Sequence, residues 1–121
     1  MVSGVFIGNV PYIQVTLAWG NFVKSYWFTL DTGFTGDLQI PTAWANELGL
    51  KVQSVERWTI ADGSRVSVPQ ALAIAGLDGA ADRVQVGITN GSSLAGIGFL
   101  TKFGYRAIVD CKYRTVVLDK P

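Results

Sequence analysis

The sequence predicts an all-β domain, and three observations carry this prediction. Short segments rich in Val, Ile, Thr and aromatic residues recur along the chain, with Gly, Asn or Asp between them. These segments do not alternate with long helical segments, as they would in a protein built from βαβ units. The length of 121 residues allows one hydrophobic core. Residues 1–121 are therefore interpreted as a single domain.

Three hairpins and one further strand account for most of the predicted sheet. Residues 12–19 and 22–30 flank Gly20-Asn21, which suggests a hairpin of two long strands. Residues 56–77 contain Asp62-Gly63, a dipeptide typical of tight turns with a positive φ. The third hairpin joins residues 106–110 to residues 115–119, and residues 82–89 form the further strand.

Two short helices complete the predicted elements. Residues 41–50 suggest about two turns, with Thr42 as the N-cap and Gly49 at the C-terminal end. Residues 96–104 are apolar and lie between glycines, which predicts a single helical segment.

Composition and charge exclude several classes of function. The net charge is +1 and the basic residues are scattered, so neither a nucleic acid nor an anionic membrane is favoured as a partner. The chain has no histidine, which excludes Ser-His-Asp and Cys-His catalysis and any zinc site that requires imidazole. Hydrophobic residues make up 49% of the chain and charged residues 16%, so we expect part of the apolar surface to be buried against another chain.

The single cysteine and the absence of targeting signals favour a cytoplasmic protein. Cys111 cannot form an intrachain disulfide, which fits a reducing compartment, and we expect its thiol to be buried or at a strand edge rather than nucleophilic. No apolar run approaches the roughly 18 to 20 residues of a membrane span, and the first residues do not resemble a signal peptide.

The tripeptide Asp31-Thr32-Gly33 follows an apolar strand and has two interpretations. Asp31 could accept a hydrogen bond from the downstream backbone as an ordinary turn residue. It could instead be a catalytic carboxylate. The tripeptide alone does not distinguish these roles, and Gly33 is equally compatible with a plain turn.

The surrounding motifs favour the catalytic interpretation. Asp-Thr-Gly after a hydrophobic strand, then "FTGDLQIP", an Asp-Gly hairpin, "LAG" and an apolar helix together resemble the retroviral-type (retropepsin-like, clan AA) aspartic proteases, especially small bacterial members. The resemblance covers nearly the whole chain. It implies a homodimeric, closed β-barrel or sandwich with a flap hairpin and one or two short helices.

The resemblance also implies a role for each motif. Asp31 would be catalytic, and Thr32 and Gly33 would belong to the active-site loop. The predicted flap residues are Ala61, Asp62, Gly63 and Ser64, although an isolated Asp-Gly is more often a surface turn. The residues expected to support the loop from beneath are Leu94, Ala95 and Gly96, although a glycine that merely begins a helix is nearly as plausible at position 96.

Hydrolysis of a peptide bond without a metal needs an activated water and an acid. Two carboxylates about 3 Å apart cannot both ionise, so one keeps a proton while the other acts as the base. The chain has one Asp-Thr-Gly, so the second carboxylate would be Asp31 of another copy. We therefore predict an aspartic endopeptidase with no cofactor and no metal. Its peptide or protein substrate would bind as an extended strand, with Phe34, Ile60 and Val66 forming apolar pockets.

Four positions depart from the retroviral pattern. Retroviral enzymes commonly pair an acid two residues after the Gly of Asp-Thr-Gly with an Arg after the C-terminal Gly, and Thr35 and Ile97 occupy those positions here. Gly98 replaces the usual Asn or Asp, and Ala95 is smaller than the usual aliphatic residue. These departures suggest a divergent member whose dimer is held differently or less tightly.

Two other functions are open to the sequence. A catalytically inactive module could keep the fold for peptide binding or dimerisation. A nucleotide enzyme could use the glycine-rich segments near residues 62–68 or 89–96, but neither segment has the spacing or the lysine of a phosphate loop.

Overall fold

Strands dominate the computed structural model, which describes residues 1–121. The strands are β1 (Val2–Ser3), β2 (Val5–Ile7), β3 (Val10–Trp19), β4 (Phe22–Leu30), β5 (Leu38–Pro41), β6 (Val52–Thr59), β7 (Arg65–Leu77), β8 (Ala80–Thr89), β9 (Leu94–Ala95), β10 (Arg106–Asp110) and β11 (Thr115–Asp119). The helices are α1 (Thr42–Leu48) and α2 (Ile97–Phe103). The all-β class, the three hairpins, the further strand and both helices are confirmed.

The largest sheet closes into a barrel. Its strands follow the order β2-β3-β4-β9-β5-β8-β7-β6, and β3 also pairs with β7. The second pairing of β3 joins residues 16–18 to residues 74–76 and closes a ring of six strands. The predicted closed barrel is therefore confirmed, with β2 and β6 as extensions outside the ring.

A second sheet lies at the two ends of the chain. β1 and β10 both pair with β11 in an antiparallel arrangement, which leaves β10 as an edge strand. Arg106 and Asp119 are cross-strand partners in this sheet, and both guanidinium-carboxylate hydrogen bonds are 2.9 Å long. This charge-assisted pair raises the pKa of Arg106 and lowers the pKa of Asp119.

Alternation of apolar and polar residues along the strands places the core inside the barrel. β3 and β4 bury every second residue towards the core. The buried members are Ile13, Val15 and Leu17 of β3 and Tyr26, Phe28 and Leu30 of β4. The opposite face of β4 leaves Val23 and Trp27 exposed.

Each helix packs apolar residues against the barrel. Trp44 of α1 stacks on Tyr26 with ring centroids 4.1 Å apart and meets Phe28 edge-on at 5.6 Å. α2 buries Phe99, Leu100 and Phe103. Neither helix exceeds seven residues, and no helix is long and apolar enough to cross a membrane.

One predicted helix boundary is wrong. Pro41 occupies the N-cap of α1, and Thr42 is the first helical residue. β5 runs directly into the helix, and the extended backbone of Pro41 makes this transition without a capping side chain. The Thr42 hydroxyl instead lies 3.3 Å from the Asn90 side-chain oxygen. The predicted C-terminal end is confirmed, because Gly49 adopts a left-handed conformation with φ of 66°.

The prediction for Cys111 is also wrong. Its side chain is exposed because the residue lies in the turn between β10 and β11, outside either strand. The Asp110 carboxylate accepts hydrogen bonds from the backbone N–H groups of Lys112 and Tyr113 in this turn.

Candidate active site

Asp31 lies directly after the last residue of β4, where two distant segments meet. The two-residue strand β9 inserts between β4 and β5, running parallel to β4 and antiparallel to β5. The Asp31 N–H continues this pairing by donating to the Ala95 carbonyl oxygen at 2.9 Å. The main chain of Asp31 is thus fixed by the sheet although its side chain lies in a loop.

The Asp31 carboxylate is partly buried and accepts one backbone hydrogen bond. Its Oδ1 accepts from the Gly33 N–H at 2.9 Å, and its carbonyl oxygen accepts from the Phe34 N–H at 3.1 Å. The first bond is the one expected of a turn aspartate. The bond occupies one oxygen only, and Thr32 and Gly33 beside it are exposed.

Gly33 does not have the backbone geometry that would demand glycine, because its φ is not positive. A Cβ at this position would instead lie 3.2 Å from Asp31 Oδ1. Glycine at position 33 therefore keeps space beside the carboxylate.

The start of α2 supports the loop from beneath. Three consecutive N–H groups donate to carbonyl oxygens of residues 34–37. The bonds are Gly96 N to Asp37 O at 2.9 Å, Ile97 N to Phe34 O at 2.8 Å and Gly98 N to Gly36 O at 3.1 Å. Together with the Asp31–Ala95 bond, they place Leu94, Ala95 and Gly96 under the loop.

Only glycine fits at position 96 in this arrangement. A Cβ there would lie 2.4 Å from the carbonyl oxygens of both Phe34 and Gly36. Gly96 has a φ of −107°, so close packing rather than a left-handed conformation accounts for the glycine. Gly98 is similarly enclosed, because a Cβ there would lie 2.5 Å from Asp37 Oδ1.

An ion pair that the sequence did not predict joins the loop to α2 and β8. Asp37 Oδ2 accepts from Lys102 Nζ at 3.1 Å and from the Gln85 N–H at 2.9 Å, and its side chain is only 14% exposed. Lys102 Nζ also donates to the Arg83 carbonyl oxygen at 3.0 Å. Thr35 and Ile97 are uncharged where retroviral enzymes commonly carry an ion pair. Asp37 and Lys102 supply an ion pair in the same region. Local sequence gave no signal of this pair, because Asp37 and Lys102 are 65 residues apart in the chain.

The β6–β7 hairpin projects a tight, exposed turn. The Ile60 N–H donates to the Ser64 carbonyl oxygen and the Gly63 N–H donates to the Ile60 carbonyl oxygen, both at 2.9 Å. Gly63 has the predicted positive φ, at 85°. Hydrogen bonds from the Ser64 hydroxyl and N–H lower the pKa of the Asp62 carboxyl. All four residues predicted for the flap, Ala61 to Ser64, are exposed.

A cleft of about 410 Å³ separates the loop from this hairpin. Phe34 of the loop and Trp58 of β6 both line the cleft and pack against each other, with ring centroids 5.3 Å apart. Of the twelve residues that line the cleft, three are hydrophobic, so apolar side chains form only part of its lining. The polar residues come from the loop itself and from β6, β7 and β8, and the sequences of these strands gave no sign that they meet at this loop.

The three predicted pocket residues are not brought together. Phe34 lines the cleft, whereas Ile60 lies outside it at the exposed turn. Val66 pairs with Trp58 across the hairpin but borders a separate groove near α1. The aromatic residue that lines the cleft beside Phe34 is Trp58, where Ile60 and Val66 were expected.

Comparison with solved structures identifies the fold. The EIAV protease in complex with the inhibitor HBY-793 aligns with a TM-score of 0.64 and 15% identity, covering 85% of this chain and 96% of that one. A retropepsin-like aspartic protease from Rickettsia conorii aligns with a TM-score of 0.64 and 16% identity, covering 99% of this chain and 89% of that one. No protein-family model matches the chain, and no curated protein matches it significantly. The two structural alignments span most of each chain, and the protein therefore has the fold of the retropepsin-like aspartic proteases.

Proposed function

We propose that the protein is an aspartic endopeptidase in which Asp31 activates the attacking water together with Asp31 of the partner subunit. The position of Asp31 carries the proposal. Its main chain is anchored to Ala95 at 2.9 Å, while its carboxylate stands beside exposed residues with one oxygen bound to the Gly33 N–H. An ordinary turn aspartate would need only the bond between its carboxylate and the Gly33 N–H. It would not need the main-chain bond to Ala95.

Two carboxylates are required because peptide hydrolysis needs a base for water and an acid for the carbonyl oxygen. Adjacent carboxylates share one proton, since two negative charges at that distance repel. The chain has one Asp-Thr-Gly, and no ion pair or hydrogen bond links Asp31 to another acid of the same chain. A homodimer with Asp31 at its two-fold axis supplies the missing group.

Exposed apolar side chains support the homodimer. Ile97 is 41% exposed, and its N–H is bonded to the Phe34 carbonyl oxygen, which places it beside the active-site loop. Ile108 and Val109 are 45% and 41% exposed on the edge strand β10. An uncovered apolar edge strand is a common site of association between chains. The Thr32 side chain, also exposed, is available to contact the partner loop.

The substrate would lie as an extended strand between the loop and the β6–β7 hairpin. Main-chain hydrogen bonds would hold it, and the hairpin formed around Ala61 to Ser64 would open and close as a flap. Phe34 and Trp58 flank the proposed path. The exposed thiol of Cys111 and the lack of any disulfide favour a cytoplasmic location for this activity.

The direct test is Asp31→Asn, measured by cleavage of an unfolded protein and by circular dichroism. We expect cleavage to be lost and the fold to be kept, because Asn removes the acid and base roles while preserving size. A tandem-linked dimer with Asn in one half should lose at least about 100-fold in rate, the usual scale for general acid-base catalysis.

Protein concentration provides an independent check. Specific activity of the unlinked protein should rise with concentration and level off above the dimer dissociation constant. If the half-mutated tandem dimer cleaves as fast as the unmutated one, the shared-dyad mechanism is wrong. If the unmutated protein binds peptides without cleaving them, the alternative of an inactive peptide-binding module is correct.

A further inference from the structure

Gln70 is the only polar side chain that the fold buries, and it lines the cleft beside the active-site loop. It is 3% exposed, whereas every other buried side chain is hydrophobic. Its Nε2 has one acceptor, the Val68 carbonyl oxygen at 3.4 Å, which is long for a hydrogen bond. A buried amide with so little bonding is costly unless a ligand completes it.

The Gln70 carbonyl oxygen is open to the cleft. No donor of the chain reaches it. Two side-chain atoms are fully enclosed without a hydrogen-bond partner, the hydroxyl oxygens of Tyr26 and Tyr105. The Gln70 oxygen also has no partner, but it is not fully enclosed. One acceptor and one further N–H of the amide are therefore available to a molecule in the cleft.

Both faces of β7 are covered where Gln70 lies. β7 buries Val68 and Gln70 on one face and Ala71 and Ala73 on the other, and its pairing with β8 stays in register through residues 70 and 71. The pairing with β6 shifts register at the same place, between Val52 and Ser54. The extra residue of this bulge belongs to β6, and Gln70 stays on the face of β7 that it shares with Val68.

The charges around Gln70 favour a neutral ligand group. Asp37 is paired with Lys102 at 3.1 Å. Both oxygens of Glu56 already accept hydrogen bonds at 3.2 Å, one from Gln85 Nε2 and one from Trp58 Nε1. A free carboxylate would meet these two acids as well as Arg57, which also lines the cleft, and a free ammonium group would find both acids already bonded. A neutral amide, with one donor and one acceptor face, complements the Gln70 amide.

We propose that Gln70 forms a specificity subsite that selects a Gln or Asn side chain of the substrate. The substrate amide donates to the Gln70 carbonyl oxygen and accepts from its free N–H, and its aliphatic carbons pack against Phe34 and Trp58. This inference rests on the proposed function for the presence of a peptide in the cleft. It adds the chemical class of side chain that the cleft recognises.

The test measures binding in the Asp31→Asn protein, so that it does not depend on cleavage. The probes are fluorescein-labelled extended peptides of one apolar sequence, in which a single Gln, Leu, Glu or Lys is moved through every position. Fluorescence anisotropy gives their affinities. At one position, the Gln peptide should bind about ten- to a hundredfold more tightly than the Leu peptide, because Leu leaves the buried amide unpaired.

Two further variants assign the preference to Gln70. Gln70→Met keeps the length of the side chain and removes its hydrogen-bonding groups, so the preference for Gln should disappear. Gln14→Met is the matched control, because Gln14 is exposed on β3 and borders a different groove. The preference should persist in this control. If Gln70→Met does not fold, the comparison of Gln and Leu peptides in the Asp31→Asn protein decides alone.

Failure of the inference is distinguishable from failure of the proposed function. The subsite is overturned if the Leu, Glu or Lys peptide binds as tightly as the Gln peptide or more tightly. It is also overturned if the preference for Gln survives in Gln70→Met, or if no peptide binds. Cleavage by the unmutated protein without a Gln preference overturns the subsite and keeps the peptidase. A Gln preference without cleavage keeps the subsite and overturns the peptidase.

Discussion

Replacing Gly96 by Ala tests whether the active-site loop rests on the start of α2. The added methyl would lie 2.4 Å from the carbonyl oxygens of Phe34 and Gly36. These oxygens cannot move away freely, because they accept hydrogen bonds from Ile97 at 2.8 Å and from Gly98 at 3.1 Å. The methyl group must therefore displace the loop main chain.

The expected destabilisation has two parts. Overpacking by one methyl group in an enclosed site costs about 1–3 kcal/mol. Lengthening the two hydrogen bonds to the displaced carbonyls costs up to about 1 kcal/mol each, the net value of a typical bond. The free energy of unfolding should fall by about 1–5 kcal/mol, and the upper half of this range is a large part of the stability of a small domain.

The assay is urea denaturation at a fixed protein concentration, with Gly76→Ala as the matched control. Gly76 lies within β7, has no positive φ, and a Cβ there would meet no atom closer than 3.8 Å. Ala at position 76 should leave stability unchanged or raise it by up to about 1 kcal/mol, through the entropy of the unfolded chain. If the two variants unfold at the same midpoint, the packing of the loop on Gly96 is wrong.

Two further predictions concern the flap and an exposed ion pair. If the hairpin is the proposed flap, Gly63→Val should reduce cleavage more than it reduces melting temperature, because valine strains a turn with φ of 85°. Gly79→Val strains a comparable turn with φ of 79° away from the cleft, and equal cleavage by the two variants would contradict a flap role. Arg106→Met should lower the melting temperature near neutral pH, because Arg106 depresses the pKa of Asp119 in the folded state and so stabilises the fold above the ordinary pKa of 3.8. This stabilisation is lost as the pH falls through the depressed pKa of Asp119. Calorimetry should therefore find that the difference in melting temperature between Arg106→Met and the unmutated protein shrinks in acid. A difference that stays constant with pH would exclude the ion pair as its cause.

The parts of the fold that local sequence determines were predictable. Gly20-Asn21 and Asp62-Gly63 mark their hairpins because tight turns need residues that tolerate a positive φ, and Gly49 and Gly104 end the two helices for the same reason. The turn at Asp78-Gly79 carries the same signal, with φ values of 51° and 79°, but was not singled out.

The parts that depend on distant residues were not predictable from local patterns. β9 has only two residues and owes its strand conformation to pairing with β4 and β5 on its two sides. The Asp37–Lys102 pair and the burial of Gln70 arise because loops and strands from separate parts of the chain meet at the cleft. Asp31 could be identified as a candidate from the sequence because the Asp-Thr-Gly motif is local. The residues that line the cleft could not be identified in this way, because they come from distant segments of the chain.

The insertion of β9 between β4 and β5 has a consequence for the order in which the protein can assemble. The bond from Asp31 to Ala95 and the three bonds from α2 connect the middle of the first half of the chain to its last third. During synthesis, the Asp-Thr-Gly segment leaves the ribosome long before the residues that hold it in position. A nascent chain ending before Leu94 contains the motif without its support, and contacts so distant in sequence form late because their loop-closure entropy must be overcome first. The contacts that hold the Asp-Thr-Gly loop in place therefore delay its formation until most of the barrel is available.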